Sequence, residues 1–244
     1  MQDDGWVQGD VDMRNDELSL IRDLALFADM DSANFTELMQ LAYFQRFPPQ
    51  VQLITEGDPA DFLYVVTEGC VELFASDSDR ETTMALVQPV STFILAAALK
   101  DAQYLMSART AHKSRVLMIP SESIRMMFAV DPAFARSMVV ELATCYRGVV
   151  KSLKNHKLRT GTQRLANYVV QCHQELAEDG AFRLDIDKRT LAGLLGMTPE
   201  NLSRAFATLK SYGVRVEGRK IAVDDIGSLH ELARPSPLID DRHN

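Results

Sequence analysis

KRTLAGLLGMTPENLSRAFATLKSYG, residues 188–213, has the pattern of two short helices joined by a tight turn. In its first part apolar residues recur at helical spacing, namely Leu191, Leu194 and Leu195. Gly196 then supplies the positive φ that the residue after a helix often needs. Thr198 and Pro199 supply a side-chain cap and a favourable first residue for the second helix. The stretch therefore predicts a helix-turn-helix, a unit that reads the major groove of DNA.

The second helix of this unit has one apolar and one polar face. The apolar stripe follows the i, i+3, i+4, i+7 pattern and consists of Leu202, Ala205, Phe206 and Leu209. The opposite face presents Glu200, Ser203 and Arg204 close to the start of the helix. Arginine can hold guanine through two hydrogen bonds, glutamate can accept from the cytosine amino group, and serine can reach a base edge or a phosphate. The alternative is an i, i+4 ion pair between Glu200 and Arg204 on a solvated helix.

The residues after the second helix predict a wing. Val214–Val216 and Lys220–Val223 alternate like the strands of a hairpin, and Glu217-Gly218-Arg219 forms its turn. Between residues 188 and 220, seven basic residues stand against two acidic ones, a net charge of +5 that a phosphate backbone favours. The residues predicted to contact DNA are Glu200, Ser203, Arg204, Thr198, Lys188, Arg189, Arg219 and Lys220.

Length and composition permit a further domain. The 244 residues are 46% hydrophobic, which is enough for two cores. The net charge of −8 is concentrated in residues 1–37, which contain ten acidic and two basic residues. No apolar run reaches the roughly 18 residues of a membrane span and no signal peptide opens the chain, so we expect a cytoplasmic protein without membrane contact. Cys70, Cys145 and Cys172 are too scattered for a disulfide framework, and no metal site is predicted.

The N-terminal half predicts a β-rich domain. In QLITEGDPADFLYVVTEGCVELFA, residues 52–75, two Glu-Gly turns flank the apolar strand Leu63–Val66. Short strands and turns continue to about Pro120, with helices expected at 16–28 and 32–42 and again after the strands. This spacing is typical of a small β-barrel or jelly roll.

The segment EGDPADFLYVVTEG, residues 56–69, resembles the signature of cyclic-nucleotide-type effector domains. Together with a winged helix about 130 residues downstream, it makes residues 18–230 similar to the CRP/FNR superfamily of bacterial transcription regulators. The resemblance implies an α+β fold with a cyclic-nucleotide-binding-like β-roll (jelly roll), a long dimerisation helix and a C-terminal winged helix-turn-helix. It also implies double-stranded DNA, a second copy of the chain and RNA polymerase as partners, and no catalytic residues.

The E-x-x-S-R form of Glu200–Arg204 is characteristic of the FNR-like branches, whose target resembles the palindrome TTGAT-N4-ATCAA. The expected segments are an acidic flexible leader at 1–15, a β-roll sensor domain at 16–130, a dimerisation helix at 131–160, a winged helix-turn-helix at 161–233 and a flexible tail at 234–244.

The long helix itself predicts a dimer. From Pro132 to about Leu158 no further proline occurs, so a helix of more than twenty residues is expected. Residues at alternating steps of four and three form a coiled-coil-like seam that consists of Met138, Leu142, Cys145, Val149, Ser152 and His156. The alternative is a helix that packs only on its own β-domain. The cations at its end either contact phosphates or favour the helix C-terminus, and they are Lys151, Lys154, Lys157 and Arg159.

The effector is not cAMP according to the sequence. Cyclic-nucleotide-binding relatives hold the phosphate with a Gly-Glu and an Arg-Ser pair, and residues 91–104 contain neither. Arg109 lies in a predicted strand and would need a register shift to replace them. An FNR-type iron–sulfur cluster is not expected either, because no cysteine precedes Cys70.

An apolar effector pocket is predicted instead, lined by Phe93, Tyr104 and Tyr43, with ordinary β-roll core as the alternative for the first two. YLMSART and SRVLMIP resemble the nitrogen-oxide-responsive (NNR/DNR-like) branch, in which haem is a candidate cofactor. His112 is the one histidine available there as an axial ligand.

Three alternative functions make different demands on the sequence. A regulator of the same fold that needs no ligand would respond to its own abundance or to oxidation of a cysteine such as Cys145. A cupin-like metalloenzyme would need clustered histidines, and His112 stands alone between residues 45 and 120. A protein-interaction module with an idle winged helix would lack the DNA affinity that Arg204 predicts.

Overall fold

The computed structural model describes residues 15–78, 80–178 and 180–241. The chain divides into two compact units, which meet within one long helix at Thr144 and Cys145, and residues 80–83 group with the second unit. The elements of the first part of the chain are α1 Asn15–Arg22, α2 Ser32–Gln40, β1 Tyr43–Phe47, β2 Gln52–Ile54, β3 Phe62–Glu68, β4 Val71–Asp77, β5 Arg80–Val87, β6 Ser91–Phe93, α3 Leu95–Lys100, β7 Ser107–Thr110, β8 Ser114–Pro120, α4 Ser121–Val130 and α5 Pro132–Leu158. The remaining elements are α6 Gly161–Leu176, β9 Ala181–Arg183, α7 Lys188–Leu194, α8 Pro199–Leu209, β10 Val214–Glu217, β11 Lys220–Val223, α9 Ile226–Ala233 and α10 Pro237–Asp240.

The first unit is the predicted β-roll. One four-stranded sheet has the order β1-β8-β3-β6 and the other has the order β2-β7-β4-β5. Each pairing whose register is resolved within these two sheets is antiparallel. Side chains from both sheets form one buried cluster that includes Tyr64, Val66, Val71, Leu73, Ala108 and Val116. The core of the β-roll therefore lies between the sheets.

Helices cover the other face of the first sheet. Leu63 and Val65 of β3 pack with Phe27, Leu38 and other helical side chains in a separate buried cluster. Because β3 is buried on both faces, its sequence is continuously apolar and does not alternate. The helix expected at 16–28 ends earlier, at Arg22, and the chain then turns back so that the Arg22 guanidinium donates to the Met30 carbonyl oxygen at 2.5 Å.

The buried carboxylate of Asp131 joins two helix starts. Its Oδ1 accepts from the backbone N–H groups of Ala133 and Phe134 and so caps α5. Its Oδ2 accepts from the backbone N–H of Asp31, the N-cap of α2, and from the side-chain amide of Asn34. These hydrogen bonds, led by that of Asn34, lower the pKa of Asp131 below its usual value.

The second unit is a winged helix-turn-helix. Thr160 begins α6 with a capping box, in which its hydroxyl accepts from the Gln163 N–H while the Gln163 side chain accepts from the Thr160 N–H. Helices α6 to α9 and the three-stranded sheet β10-β11-β9 enclose one buried cluster that ends at Ala233.

The segment after α9 differs from the predicted flexible tail. Residues 234–241 run against the end of α5 and against α6, and they include the single-turn helix α10. Arg159 donates from both terminal nitrogens to the Asp240 carboxylate at 2.6 Å, and this ion pair is largely buried. The predicted leader at 1–15 falls almost entirely outside the described residues.

Candidate nucleic-acid interface

Local capping holds the two helices of the helix-turn-helix. The Asp187 carboxylate accepts from the Thr190 N–H at 2.8 Å and begins α7, and this hydrogen bond is the main reason that the pKa of Asp187 is lowered. Gly196 has a φ of +60°, as predicted for the residue that ends the first helix. Thr198 accepts from the Asn201 N–H at 3.2 Å, and Pro199 is the first residue of α8. The turn therefore has the geometry that the sequence predicted.

The two faces of α8 are as expected. Leu202, Ala205, Phe206 and Leu209 are buried in the cluster of this unit. Glu200, Ser203 and Arg204 are exposed on the opposite side. The Ser203 hydroxyl donates to the Pro199 carbonyl oxygen at 3.0 Å, whereas the Arg204 guanidinium extends toward solvent. Helix α8 thus presents one acceptor, one hydroxyl and one bidentate donor on a single face.

The start of α8 stabilises the Glu200 carboxylate. Its pKa is lowered first by the backbone N–H of Glu200 and next by the Thr198 hydroxyl, with the charge of Arg204 a smaller cause. Among the described residues, no ion pair within 4 Å joins Glu200 to Arg204. Glu200 is therefore an ionised acceptor at neutral pH, and Arg204 keeps its donors for another partner.

The wing is a three-stranded sheet rather than the predicted hairpin alone. Gly218 takes a φ of +63° in the turn between β10 and β11, as a two-residue hairpin turn requires. Sequence reasoning missed the third strand, β9, which pairs with β11. The alternation of buried Phe182 and Leu184 with exposed Arg183 was the signal available for it. The register places Arg183 directly opposite Lys220.

Two pairs of basic residues predicted to contact DNA, one in the wing and one at the start of α7, lie near one another. The Leu184 N–H donates to the Arg219 carbonyl oxygen at 2.9 Å, and the charge of Arg219 contributes to the lowered pKa of Asp187. Because Asp187 caps α7, Arg219 and Lys220 of the wing lie close to the N-terminus of α7, where Lys188 and Arg189 are exposed. An open groove of about 700 Å³ adjoins the wing and is lined by Leu176, Glu178, Ala181, Phe182, Arg183, Glu217, Arg219 and Lys220.

Arg215 does not add to this basic surface. Its guanidinium donates to both oxygens of Asp224 at 2.6 and 2.7 Å, and this pairing is the main reason that the pKa of Arg215 is raised and that of Asp224 lowered. In the part of the chain that the structure describes, no ion pair within 4 Å involves Arg183 or Lys220. The sequence count of +5 therefore includes one cation that is already neutralised.

The predicted dimer seam needs a correction. Met138 is fully buried and Leu142 partly buried in the cluster of their own unit, because α5 packs there against α2 and α4. Cys145, Val149 and Ser152 are exposed, as the seam requires. Four exposed apolar side chains of α5, Val139, Tyr146, Val150 and Leu153, follow the predicted seam displaced by one residue, and Val149 lies on the predicted seam itself. Val140 and Leu158 are also exposed.

The three residues predicted to line the effector pocket do not all lie inside the β-roll. Phe93 and Tyr104 are buried inside the β-roll, whereas Tyr43 is 56% exposed because it opens the edge strand β1. The Tyr43 ring meets Phe62 edge to face with centroids 6.0 Å apart, and Tyr43 is not part of the buried cluster that contains Phe93 and Tyr104. Sequence reasoning missed Tyr64, which stacks on Phe93 at 5.1 Å.

Tyr64 and Tyr104 form a buried hydroxyl pair. Burial is the main cause that raises the pKa of each phenol, and for Tyr64 the neighbouring Tyr104 raises it further. The Tyr104 hydroxyl donates to the Phe62 carbonyl oxygen, and the Tyr64 hydroxyl donates to the Leu53 carbonyl oxygen, each at 3.4 Å. Both phenols stay protonated at neutral pH, and their rings belong to the buried cluster between the sheets.

Arg109 is paired with another side chain, and His112 is exposed, so neither lies free inside the β-roll to bind an effector. Arg109 donates from Nε to the buried Glu72 carboxylate at 2.8 Å and lies 4.3 Å over the Phe74 ring. His112 lies exposed in the bend between β7 and β8. Within residues 15–78, 80–178 and 180–241, no group of three or more His, Cys, Asp or Glu side chains is placed to hold a metal ion. No described helix is long and apolar enough to cross a membrane.

Comparison with protein families matches both units. The family "Cyclic nucleotide-binding domain" matches residues 44–131, and the family "Crp-like helix-turn-helix domain" matches residues 163–232. The order of the two matches along the chain agrees with the two units of the structure.

Proteins similar to this chain include named transcription regulators. The chain is 25% identical over 194 residues to the "CRP-like cAMP-activated global transcriptional regulator" of Mycobacterium tuberculosis. The matched region covers 77% of this chain and 87% of that protein. The structure of FixK2 from Bradyrhizobium japonicum is 23% identical with a TM-score of 0.69, over 80% of this chain and 98% of that one. The c-di-GMP responsive global regulator CLP of Xanthomonas campestris is 18% identical with a TM-score of 0.68, over 79% and 99%. These two structures share the fold of this chain.

Proposed function

We propose that the chain is a transcription regulator of the CRP/FNR type and that it binds an FNR-like palindrome, TTGAT-N4-ATCAA, as a homodimer, as the matches to a cyclic nucleotide-binding domain and a Crp-like helix-turn-helix domain support. The observation that carries the proposal is the exposed face of α8, on which Glu200, Ser203 and Arg204 stand near the start of the helix. Their E-x-x-S-R spacing is the one typical of the FNR-like branches. RNA polymerase is the proposed partner on promoter DNA.

Each residue of α8 has a separate role in this proposal. Arg204 donates two hydrogen bonds to guanine O6 and N7 in the major groove. Glu200 accepts from a cytosine amino group, for which its ionised state is suited. Ser203 reaches a base edge or a phosphate after its hydroxyl leaves the Pro199 carbonyl. Thr198 acts mainly as the helix cap, since its hydroxyl already accepts from the Asn201 N–H.

The wing and the start of α7 bind the phosphate backbone in this proposal. Lys188, Arg189, Arg219 and Lys220 keep the role predicted for them, and Arg183 joins them. Two positive charges that face each other on neighbouring strands repel. Arg183 and Lys220 form such a pair and are best accommodated with an anion close to both. Phosphate contacts add affinity without reading sequence.

Two copies pair along α5 in the proposed dimer. The support is the set of exposed apolar side chains on α5, which includes Tyr146 at 70% and Val149 at 67% exposure. Neighbouring α5 residues of this size rarely remain exposed on a monomer as a continuous stripe. Pairing through a helix gives the two α8 helices a fixed separation of about one turn of DNA, on the order of 10 base pairs.

The sensor domain is proposed not to use cAMP. Arg109 is engaged by Glu72, and residues 91–104 lack the phosphate-binding pairs. An apolar effector, such as nitric oxide, would bind beside the buried rings of Tyr64, Phe93 and Tyr104. For a resident haem, the exposed His112 and the Tyr104 hydroxyl, which is bonded to the backbone, are poorly placed as axial ligands.

A second candidate function is that of a regulator of the same fold that needs no ligand and is controlled by its own abundance or by oxidation of the exposed Cys145. It is favoured by the missing phosphate-binding pairs in residues 91–104 and by the contact of Tyr64 with Phe93 inside the β-roll. This alternative shares the DNA-reading face with the first proposal and differs only in the control of DNA binding.

Fluorescence anisotropy with purified protein tests the DNA-binding proposal. The protein is titrated onto the palindrome and onto a scrambled duplex at one fixed salt concentration, because phosphate contacts make affinity strongly salt-dependent. Arg204→Ala is expected to weaken binding to the palindrome by about 1–3 kcal/mol and to relax the preference at one base pair. Arg136→Ala, an exposed change on the first half of α5, is the matched control.

The same titration separates the two modes of control. Tight, selective binding by the protein alone supports the regulator that needs no ligand. Weak, unselective binding that becomes selective when nitric oxide, with or without haem, is added supports an effector-gated dimer. An Arg204→Ala variant with unchanged affinity for the palindrome would contradict the role assigned to α8.

A further inference from the structure

Residues 234–241, which we call the C-terminal strap, bind the end of the long helix. The Lys151 ammonium donates to the Asp241 carbonyl oxygen at 2.6 Å, and the Lys154 ammonium donates to the Leu238 carbonyl oxygen at 3.5 Å. These two lysines were candidates for phosphate contacts, and the strap instead occupies them. The strap thus lies along the last two turns of α5.

A buried ion pair is the centre of this contact. The guanidinium of Arg159 holds Asp240 through two hydrogen bonds of 2.6 Å and also donates to the Arg234 carbonyl oxygen at 3.3 Å. The Asp240 carboxylate accepts in addition from the Ser236 N–H, so one carboxylate closes the strap on itself and binds it to Arg159. Bidentate arginine–carboxylate pairs fix orientation as well as distance.

Arg159 stands at the junction between two helices. It follows Leu158, the last residue of α5, and precedes Thr160, the cap of α6. On the other side of the junction, Arg164 donates to the Arg159 carbonyl oxygen at 2.8 Å and to the Leu195 and Gly196 carbonyl oxygens in the helix-turn-helix. The strap and Arg164 therefore hold the junction from both sides.

The strap is not part of the core that folds the winged helix. Ala233 is the last residue along the chain that belongs to the buried cluster of this unit, and Leu232 is the last partly buried residue that packs against it. Within the strap, Pro235, Pro237 and Leu238 are exposed, so it buries little apolar surface. The contacts of the strap are directional hydrogen bonds and an ion pair. Such contacts set an angle between elements more than they drive folding.

We propose that Arg159 and Asp240 are positioning residues for DNA reading, because their pairing fixes the direction in which the winged helix-turn-helix leaves α5. This inference rests on the proposed function, in which two copies pair along α5 and read two half-sites. A fixed junction gives the second α8 helix a high effective concentration at its half-site once the first is bound, and a loose junction lowers it. The strap thereby determines the preferred spacing of the half-sites.

The test compares two DNA targets with the full-length protein. Asp240→Asn removes the charge of the pair, and Glu231→Gln, an exposed change on α9, is the matched control. Asp240→Asn is expected to lower affinity for the N4 palindrome about tenfold and affinity for a single half-site less than twofold. It is also expected to flatten the preference among palindromes with spacers from N3 to N6. Asp240→Glu, which keeps the carboxylate, restores most of the spacer preference.

Hydrogen exchange provides a readout that does not depend on DNA. Asp240→Asn is expected to increase exchange in residues 234–241 and at the junction around Thr160, while the peptides of α8 keep wild-type protection. Unchanged spacer preference, or equal losses on the palindrome and on the half-site, would overturn the strap proposal while leaving the proposed function intact. A wild-type protein without preference for the palindrome would instead refute the proposed function itself.

Discussion

Arg164 donates hydrogen bonds to three separate carbonyl groups, and its replacement is expected to destabilise the helix-turn-helix. Its Nε donates to the Leu195 carbonyl oxygen at 2.7 Å, Nη1 to that of Arg159 at 2.8 Å and Nη2 to that of Gly196 at 3.2 Å. Burial is the cause that lowers the pKa of Arg164, although an arginine stays charged at neutral pH. One side chain therefore fixes the turn between α7 and α8 relative to the start of α6.

The expected cost follows from the burial of these acceptors. Leu195 and Arg159 are buried residues, at 5% and 9% exposure, whereas Gly196 is exposed, so two of the three carbonyl groups would lose their partner in a partly buried setting. A buried polar group left without a partner costs about 1–3 kcal/mol. Arg164→Ala is thus expected to destabilise the second unit by roughly 2–4 kcal/mol, and Arg164→Lys by about half as much, because one ammonium cannot reach all three carbonyls.

Hydrogen exchange during urea unfolding measures this effect within the second unit, since the two units need not unfold together. Glu231→Gln, an exposed change on α9 away from the residues proposed to contact DNA, is the control and is expected to leave exchange in α7 and α8 unchanged. Arg164→Ala is expected to weaken binding to a single half-site as well as to the palindrome, unlike Asp240→Asn. Stability and half-site affinity equal to those of wild type would refute the role of Arg164.

Three further changes test other parts of the structure. Asp131→Ala is expected to cost about 2–4 kcal/mol in urea unfolding, because the cap of α5 and the link to α2 are lost together. Since folding lowers the pKa of Asp131, its contribution is complete above the ordinary value of 3.8 and is lost as the pH falls through the folded-state pKa, so the difference between variant and wild type should shrink in acid unfolding curves. Gly213→Ala should lower the melting temperature of the second unit, with strain of at least about 1–2 kcal/mol, since Gly213 has a φ of +78° and a Cβ there would lie 2.7 Å from the Asp225 nitrogen. Asp224→Asn, which breaks the exposed pair with Arg215, should leave the urea midpoint unchanged; a clear shift would contradict this assignment.

Local signals explain the accuracy of the helix-turn-helix prediction. The boundaries of α8 depend on Thr198 and Pro199, and the turn depends on Gly196, all within a few residues of one another. Caps and turn glycines act through contacts only two to four residues apart, so a sequence displays them directly. The same reasoning placed Glu200 and Arg204 on the exposed face of α8.

Contacts distant in sequence explain what the pattern did not predict. Arg159 and Asp240 are 81 residues apart, and the prolines of the last segment suggested a loose tail. The predicted dimer seam of α5 is displaced by one residue from most of the exposed apolar side chains. Periodicity alone does not tell which apolar stripe of a helix faces its own domain, and Met138 faces inward. Tyr43 was predicted to line the effector pocket with Phe93 and Tyr104, but β1 is an edge strand and its first residue is exposed.

The long helix α5 is anchored by a carboxylate at each end. Asp131 caps its first turn and binds the start of α2, and Asp240 holds Arg159 immediately after its last turn. A straight helix of 27 residues is about 40 Å long. Each end of α5 is therefore fastened within its own unit by directional hydrogen bonds. Fraying of the helix from either end would first have to break a contact made by a carboxylate.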